Sequence, residues 1–242
     1  MTHLVLENLD VRHGLLQAVR AGSLSIEKGE VLALIGANGA GKTTMLRALA
    51  GAHVPASGRI LLNGSDITGI PAHRRVGMGV AMVPEGRRLF ADMTVEENLL
   101  LGRQAGRSGE WTVERVLDVF ANLKPRRNAR AATLSGGEQQ ACAIGRALVT
   151  NPDVLLLDEV SLGLSPLAVD RVYQSLGSLL ASGTTIVLVE QDLGRALAVA
   201  DRVVCLLEGR IVLDEAAAAV SRERVTQAYF GLQAAQAGSA SS

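Results

Sequence analysis

The chain has 242 residues, 48% of them apolar and only 2% aromatic, which suits one large α/β domain, or one core with a smaller lobe, packed mainly from Leu, Val, Ile and Ala. Its 24 Lys and Arg are balanced by 24 Asp and Glu, which argues against a protein that grips nucleic acid by bulk electrostatics. Cys142 and Cys205 stand in apolar surroundings at no metal-like spacing, as reduced, buried thiols do. The start, Met1-Thr2-His3-Leu4-Val5-Leu6-Glu7, lacks the basic then apolar run of a signal peptide. No stretch approaches the roughly 18 apolar residues of a membrane span, so any membrane role is expected to come through a partner.

Short strands are expected over 4–9 and 24–27, with a loop at Arg12-His13-Gly14 after the first. Val31-Leu32-Ala33-Leu34-Ile35 is an apolar run ending at Gly36, as in a buried strand. Lys42 to Ala50 reads as a helix closed by Gly51. Asn63-Gly64, between Ile60-Leu61-Leu62 and Ile67, signals a hairpin, and Val80-Ala81-Met82-Val83 a strand halted by Pro84. From about 94 to 149 the pattern turns helical. Thr94 to Glu97 fits a capping box, Val113, Val116, Leu117 and Phe120 recur at helical spacing, and Gly102 to Gly109 reads as a loop. Val154-Leu155-Leu156-Leu157 and Thr185-Ile186-Val187-Leu188-Val189 read as buried strands, separated by a helix over 169–180 that stops at Ser182-Gly183. A helix over 192–200 and a hairpin of 203–207 with 211–213 follow. Residues 233–242, only Gln, Ala, Gly and Ser, read as a frayed tail. Strands alternating with helices predict an α/β fold with a mainly parallel sheet covered on both faces, and the 94–149 stretch predicts a helical lobe of its own.

Three motifs carry chemistry. In Gly36-Ala37-Asn38-Gly39-Ala40-Gly41-Lys42-Thr43 a glycine-rich loop follows a strand and opens a helix, the context of a triphosphate-binding loop. Glycines 36, 39 and 41 let backbone N–H groups approach phosphate oxygens, and the helix adds its positive dipole end. Lys42 supplies charge to the β- and γ-phosphates, Thr43 a hydroxyl to Mg²⁺, and Thr44 a hydrogen bond to the α-phosphate. The second motif, Leu155-Leu156-Leu157-Asp158-Glu159, delivers two carboxylates at the C-terminal end of a strand, where open α/β sheets bind ligands. Asp158 would hold Mg²⁺ through water, and Glu159 would orient the attacking water or accept its proton. The third, Leu134-Ser135-Gly136-Gly137-Glu138-Gln139-Gln140, fits a capping box. Two glycines in a first helical turn cost about 1 kcal/mol each against Ala, which makes sense if an anion approaches Ser135, Gly136 and Gly137 at the backbone.

These motifs in this order resemble an ABC-type ATPase over residues 4 to 232. The resemblance implies a P-loop NTPase core with an antiparallel β subdomain and a helical subdomain at about 92–150, all in one domain over 1–232. It further implies a dimer in which Ser135 to Gly137 contact the γ-phosphate of the nucleotide on the opposite subunit. Val83-Pro84-Glu85-Gly86-Arg87-Arg88, Met93-Thr94-Val95-Glu96-Glu97-Asn98-Leu99 and Val189-Glu190-Gln191 look like the second of the two ATP-binding subunits of branched-chain amino-acid importers. That implies transmembrane permease subunits, a place on the cytoplasmic face of the membrane and, indirectly, an extracytoplasmic binding protein. Related importers carry other amino acids, urea or amides.

The chain departs from the wider family pattern at four positions. Glu85 stands where most members carry Gln, placing an anion near Mg²⁺ or the catalytic water. Gln191 stands where a histidine usually reaches the γ-phosphate, and Gln donates a hydrogen bond but carries no proton. His13 stands where an aromatic usually stacks on adenine, with less area than Tyr. Val160 replaces a proline. A soluble ABC ATPase acting on ribosomes or DNA is disfavoured by the neutral charge and the lack of a second ATPase domain, a coiled-coil insertion or zinc-binding cysteines. A subunit degenerate in hydrolysis is disfavoured by intact Lys42, Asp158 and Glu159.

Overall fold

The structure is a computed structural model that describes residues 2–180 and 183–231. The tail expected over 233–242, and Ser182 of the expected helix stop, lie outside the described residues. A six-stranded sheet runs in the order β10 (Arg210–Ala216), β9 (Arg202–Leu207), β3 (Val31–Ile35), β8 (Thr185–Val189), β7 (Val154–Asp158), β6 (Val80–Val83). All its neighbours are parallel except β10, which folds back on β9. Every residue of β3, β7 and β8 is buried, the reason these strands read as continuous apolar runs. Alternate side chains feed opposite cores: Leu155, Leu157, Ile186 and Leu188 join the helical segments, while Leu32, Leu34, Leu156 and Val187 join the second sheet.

That second sheet is antiparallel, in the order β2 (Leu16–Glu27), β1 (Thr2–His13), β4 (Ser57–Leu62), β5 (Ser65–Asp66). Here the expectation of two short strands and a loop at Arg12-His13-Gly14 is corrected. β1 and β2 have 12 residues each and pair as one hairpin as far as His13 opposite Leu16. Register shifts on both sides of Leu9, with Asn8 and Ala21 at φ 48° and 49°, break the two-residue alternation that would have revealed the full strands.

The helices are α1 (Lys42–Leu49), α2 (Ala72–Gly77), α3 (Val95–Leu100), α4 (Val113–Val119), α5 (Gly136–Leu148), α6 (Pro166–Leu180), α7 (Leu193–Val199) and α8 (Arg222–Phe230). The 94–149 stretch is less continuous than its periodicity suggests, with 3₁₀ turns over Leu101–Ala105, Ala121–Arg126 and Ala131–Thr133 between α3, α4 and α5. The first of these occupies part of the loop expected at Gly102 to Gly109. The Thr94 capping box forms as the sequence indicates, Thr94 Oγ1 accepting from the Glu97 N–H and Glu97 from the Thr94 N–H.

α2 carries no apolar stripe, and its reason for forming is Arg75. That side chain is 0% exposed. Its guanidinium donates to the carbonyls of Ala48 (2.8 Å) and Leu49 (2.7 Å) at the end of α1, and to those of Ile70 (2.7 Å) and Thr68 (2.9 Å). A cation is favoured at a helix C-terminus, where carbonyls lack intrahelical partners. Burial pushes the guanidinium down to about 10, which leaves it charged at neutral pH. Gly51, at φ 76°, admits this arm, because a Cβ there would lie 2.7 Å from Arg75 Nε. Arg75 thus ties the helix of the glycine-rich loop to the segment that follows β5. Arg75→Met removes all four of these hydrogen bonds, with the Ala48 carbonyl keeping a second donor, the Gly51 N–H at 3.1 Å, and is expected to lower stability by about 2–4 kcal/mol. Chemical denaturation checks this, and an unchanged midpoint contradicts it.

Candidate nucleotide site

The glycine-rich loop leaves β3 in the middle of the parallel sheet and enters α1, whose N-cap is Gly41 at φ 105° with no capping side chain. The N–H groups of the first helical turn are therefore left for a ligand. Gly36 (φ 146°) and Gly41 are fixed by their surroundings. A Cβ at 36 would lie 2.3 Å from the Leu206 carbonyl, and one at 41 would lie 2.2 Å from the Ala18 carbonyl. Gly39 (φ 81°) meets nothing within 4 Å and faces open space beside exposed Asn38. Ala37 and Ala40 close the turn, the Ala40 N–H donating to the Ala37 carbonyl at 3.0 Å, and Ala40 is anchored from behind by the Gly209 N–H at 2.9 Å.

Around this loop an open cleft of ≈520 Å³ is lined by His13, Asn38, Gly39, Gly41, Lys42, Thr43, Thr44, Glu85, Glu159 and Gln191. The Lys42 ammonium is 4% exposed, donates to the carbonyls of Gly36 (2.7 Å) and Ala37 (3.1 Å), and lies 3.8 Å from Glu159 Oε1. Burial lowers its pKa, opposed by the charges of Glu159 and Asp158.

β7 ends on Asp158, which is 1% exposed. The Thr43 hydroxyl donates to its Oδ1 at 2.9 Å, and Oδ2 is buried with no partner. A buried carboxylate oxygen without a donor is costly unless something cationic reaches it, so the pair fits a Mg²⁺ held by one carboxylate, one hydroxyl and phosphate oxygens. Among the described residues no cluster of three or more His, Cys, Asp or Glu could hold a metal alone. Burial raises the Asp158 pKa against the Thr43 hydrogen bond, and the negative Glu85 adds to the rise. Glu159 follows at φ 48°, a left-handed backbone rare outside glycine. Burial raises its carboxyl too, opposed by the hydrogen bond from Gln191 and the charge of Lys42. Gln191 Nε2 donates to Glu159 Oε2 at 2.7 Å, so the residue at the usual histidine position holds the carboxylate directly.

Glu85 follows β6 and opens a turn in which Gly86, Arg87 and Arg88 all have positive φ, of 77°, 64° and 49°. Arg87 donates to Gln139 of α5 at 2.9 Å, which ties this turn to the helical segments. His13 ends β1; its ring packs edge-on against His53, with centroids 4.6 Å apart, and its Nε2 lies 3.1 Å from Thr44 Oγ1. The structure also places Leu16, 66% exposed, in the cleft wall beside His13. Sequence reasoning missed both Leu16 and His53, because a lone Leu in a strand and a histidine 40 positions away carry no local signal.

Ser135, Gly136 and Gly137 are not brought into this cleft. Ser135 caps α5 in a reciprocal box with Glu138, and Ser135 and Gly137 line a separate recess with Ala168 and Arg171. At Gly137 the structure adds a packing constraint to the expected approach of an anion. A Cβ there would lie 2.9 Å from the Ala168 Cβ of α6, so the packing of α5 against α6 also favours glycine. Ser135 remains exposed, its oxygen accepting from the Glu138 N–H and its proton still available to donate.

The chain matches the ABC transporter family over residues 19–161. It is 43% identical over 228 residues to the high-affinity branched-chain amino acid transport ATP-binding protein BraG of Pseudomonas aeruginosa, covering 93% of this chain and 98% of that protein. It is 37% identical over 192 residues to a probable branched-chain amino acid transport ATP-binding protein of Archaeoglobus fulgidus, with coverage of 78% and 81%. A nucleotide-free ATP-binding cassette from an ABC transporter superposes with a TM-score of 0.81 at 26% identity, over 94% of this chain and 95% of that one. With a phosphate loop, a buried metal-ready carboxylate and a glutamate poised beside them, the chain belongs to the ABC transporter family of ATP-binding cassettes that hydrolyse ATP.

Proposed function

We propose that residues 1–232 form one ATPase domain that drives a membrane importer of branched-chain amino acids, working with a second ATPase subunit and with transmembrane permease subunits at the cytoplasmic face of the membrane. The observation that carries the chemistry is the Thr43–Asp158 bond with its unpartnered second oxygen, flanked by Lys42, Glu159 and Gln191. The near full-length likeness to BraG supports the cargo, and a related cassette that is dimeric with ADP and Pi, at 25% identity and a TM-score of 0.78, supports the pairing.

In this reading the first-turn N–H groups of α1 and Lys42 bind the β- and γ-phosphates, and Lys42 shifts from the Gly36 and Ala37 carbonyls to do so. Thr43, Asp158 and Glu85 attend Mg²⁺, which supplies charge neutralisation at the phosphate oxygens. Glu159, its pKa raised by burial, accepts a proton from the attacking water, and Gln191 orients it. Thr44 meets the α-phosphate, and His13 with Leu16 offers a face to adenine. Ser135, Gly136 and Gly137, turned away from their own cleft, complete the site on the second subunit.

Glu159→Gln is expected to keep ATP affinity and to lower the single-turnover rate by about 10²–10⁴-fold, with ATP trapped in a closed dimer. Near-normal turnover would falsify the role of Glu159. Adding Ser135→Arg to Glu159→Gln is expected to leave ATP binding intact and abolish the trapped dimer in size-exclusion chromatography. An undiminished dimer contradicts completion of the site in trans.

A further inference from the structure

Behind the Glu159–Gln191 pair lies another carboxylate, Glu190, 1% exposed. Its neighbour Gln191 is exposed and faces the cleft, whereas Glu190 turns inward. Tyr173 Oη of α6 donates to its Oε1 at 2.5 Å. Ser161 Oγ donates to Oε2 at 3.0 Å, and the Gln191 N–H to the same oxygen at 3.2 Å. Burial and the negative charge of Glu190 push the Tyr173 phenol far above its ordinary value, so it remains a donor.

A buried charge met by neutral donors is costly, and losing one donor leaves it more so. The three donors come from three segments. Ser161 lies two residues beyond Glu159 in the turn after β7, Gln191 lies two residues past the end of β8, and Tyr173 belongs to α6. At the front the same two chain segments meet again. The Glu159 N–H donates to the Val189 carbonyl at 3.2 Å, and the Gln191 amide to the Glu159 carboxylate at 2.7 Å. Glu159 holds its left-handed backbone between these two sets of bonds, and such a conformation persists only when its surroundings over-determine it.

We propose that Glu190, with Tyr173 and Ser161, is a positioning set that fixes Glu159 and Gln191 relative to each other for attack of water on ATP. Glu190 touches neither nucleotide nor water and acts through the two residues in front of it. The proposal rests on Glu159 being the catalytic carboxylate. Glu190→Gln retains an oxygen for Ser161 and the Gln191 N–H, and the Tyr173 hydroxyl can rotate to accept from the new amide, whereas Glu190→Leu offers nothing.

The test uses the full-length chain assembled with its permease, measuring MgATP hydrolysis for Tyr173→Phe, Ser161→Ala, Glu190→Gln and Glu190→Leu, each also combined with Gln191→Ala. Tyr173→Phe and Ser161→Ala are expected to lower kcat about tenfold with KM for ATP within about twofold, and Glu190→Gln to retain more activity than Glu190→Leu. In the Gln191→Ala background the further loss from Tyr173→Phe is expected to shrink below about twofold, because coupled residues are not additive. Two single-donor variants are made so that a folding defect in one leaves the other to decide. Unchanged kcat in both, a rise in KM alone, or losses that multiply fully with Gln191→Ala overturn the proposal. Glu159→Gln run in parallel separates the two readings. If it is inactive while Tyr173→Phe and Ser161→Ala are fully active, only the positioning set fails; if it turns over normally, the reading of Glu159 fails first.

Discussion

The hydrogen bond from Thr43 to Asp158 joins two residues 115 positions apart, and the rest of the site is built around it. It holds the first turn of α1 against the end of β7, and it uses only one oxygen of a carboxylate that is 1% exposed. The other oxygen is left in the interior without a donor. A buried carboxylate oxygen without a donor is costly, and a divalent cation bound there would offset that cost. The left-handed backbone of Glu159 and the inward-folded Lys42 lie at the same place.

The sheet order explains why these groups meet. β3 lies between β9 and β8, and β7 lies next to β8, so the loop after β3 and the carboxylates at the end of β7 emerge at the same C-terminal edge, with Gln191, just past β8, between them. This is the edge where open parallel sheets bind their ligands. α6 adds a connection the sheet does not supply. Ala168 near its start packs on Gly137, and Tyr173 farther along bonds to Glu190 behind Glu159. One helix therefore touches both the start of α5 and the buried carboxylate behind Glu159.

Much of this was legible in the sequence because it depends on short, local patterns. The glycine-rich loop, the strand ending in Asp158-Glu159 and the capping boxes at Thr94 and Ser135 each lie within eight residues and obey simple spacing. The buried strands β3, β7 and β8 were legible because both of their faces are covered. What was hidden depends on contacts distant in sequence. The long β1–β2 hairpin is disguised by register shifts around Leu9. α2 forms around Arg75, whose four carbonyl partners include two on α1. Gly137 gains a second reason to be glycine once Ala168 is seen beside it. Glu190, one letter from Gln191, gave no sign that it is buried and bonded to Tyr173.

The central claim is that Asp158 and Thr43 hold a metal that arrives with ATP. It is tested most directly by titrating Mn²⁺, a spectroscopic substitute for Mg²⁺, into the ATP-bound protein and into its Asp158→Asn variant. The account predicts an affinity weaker by about tenfold or more in the variant, with ATP binding in the absence of metal little changed. Equal Mn²⁺ affinity in the two proteins would contradict it.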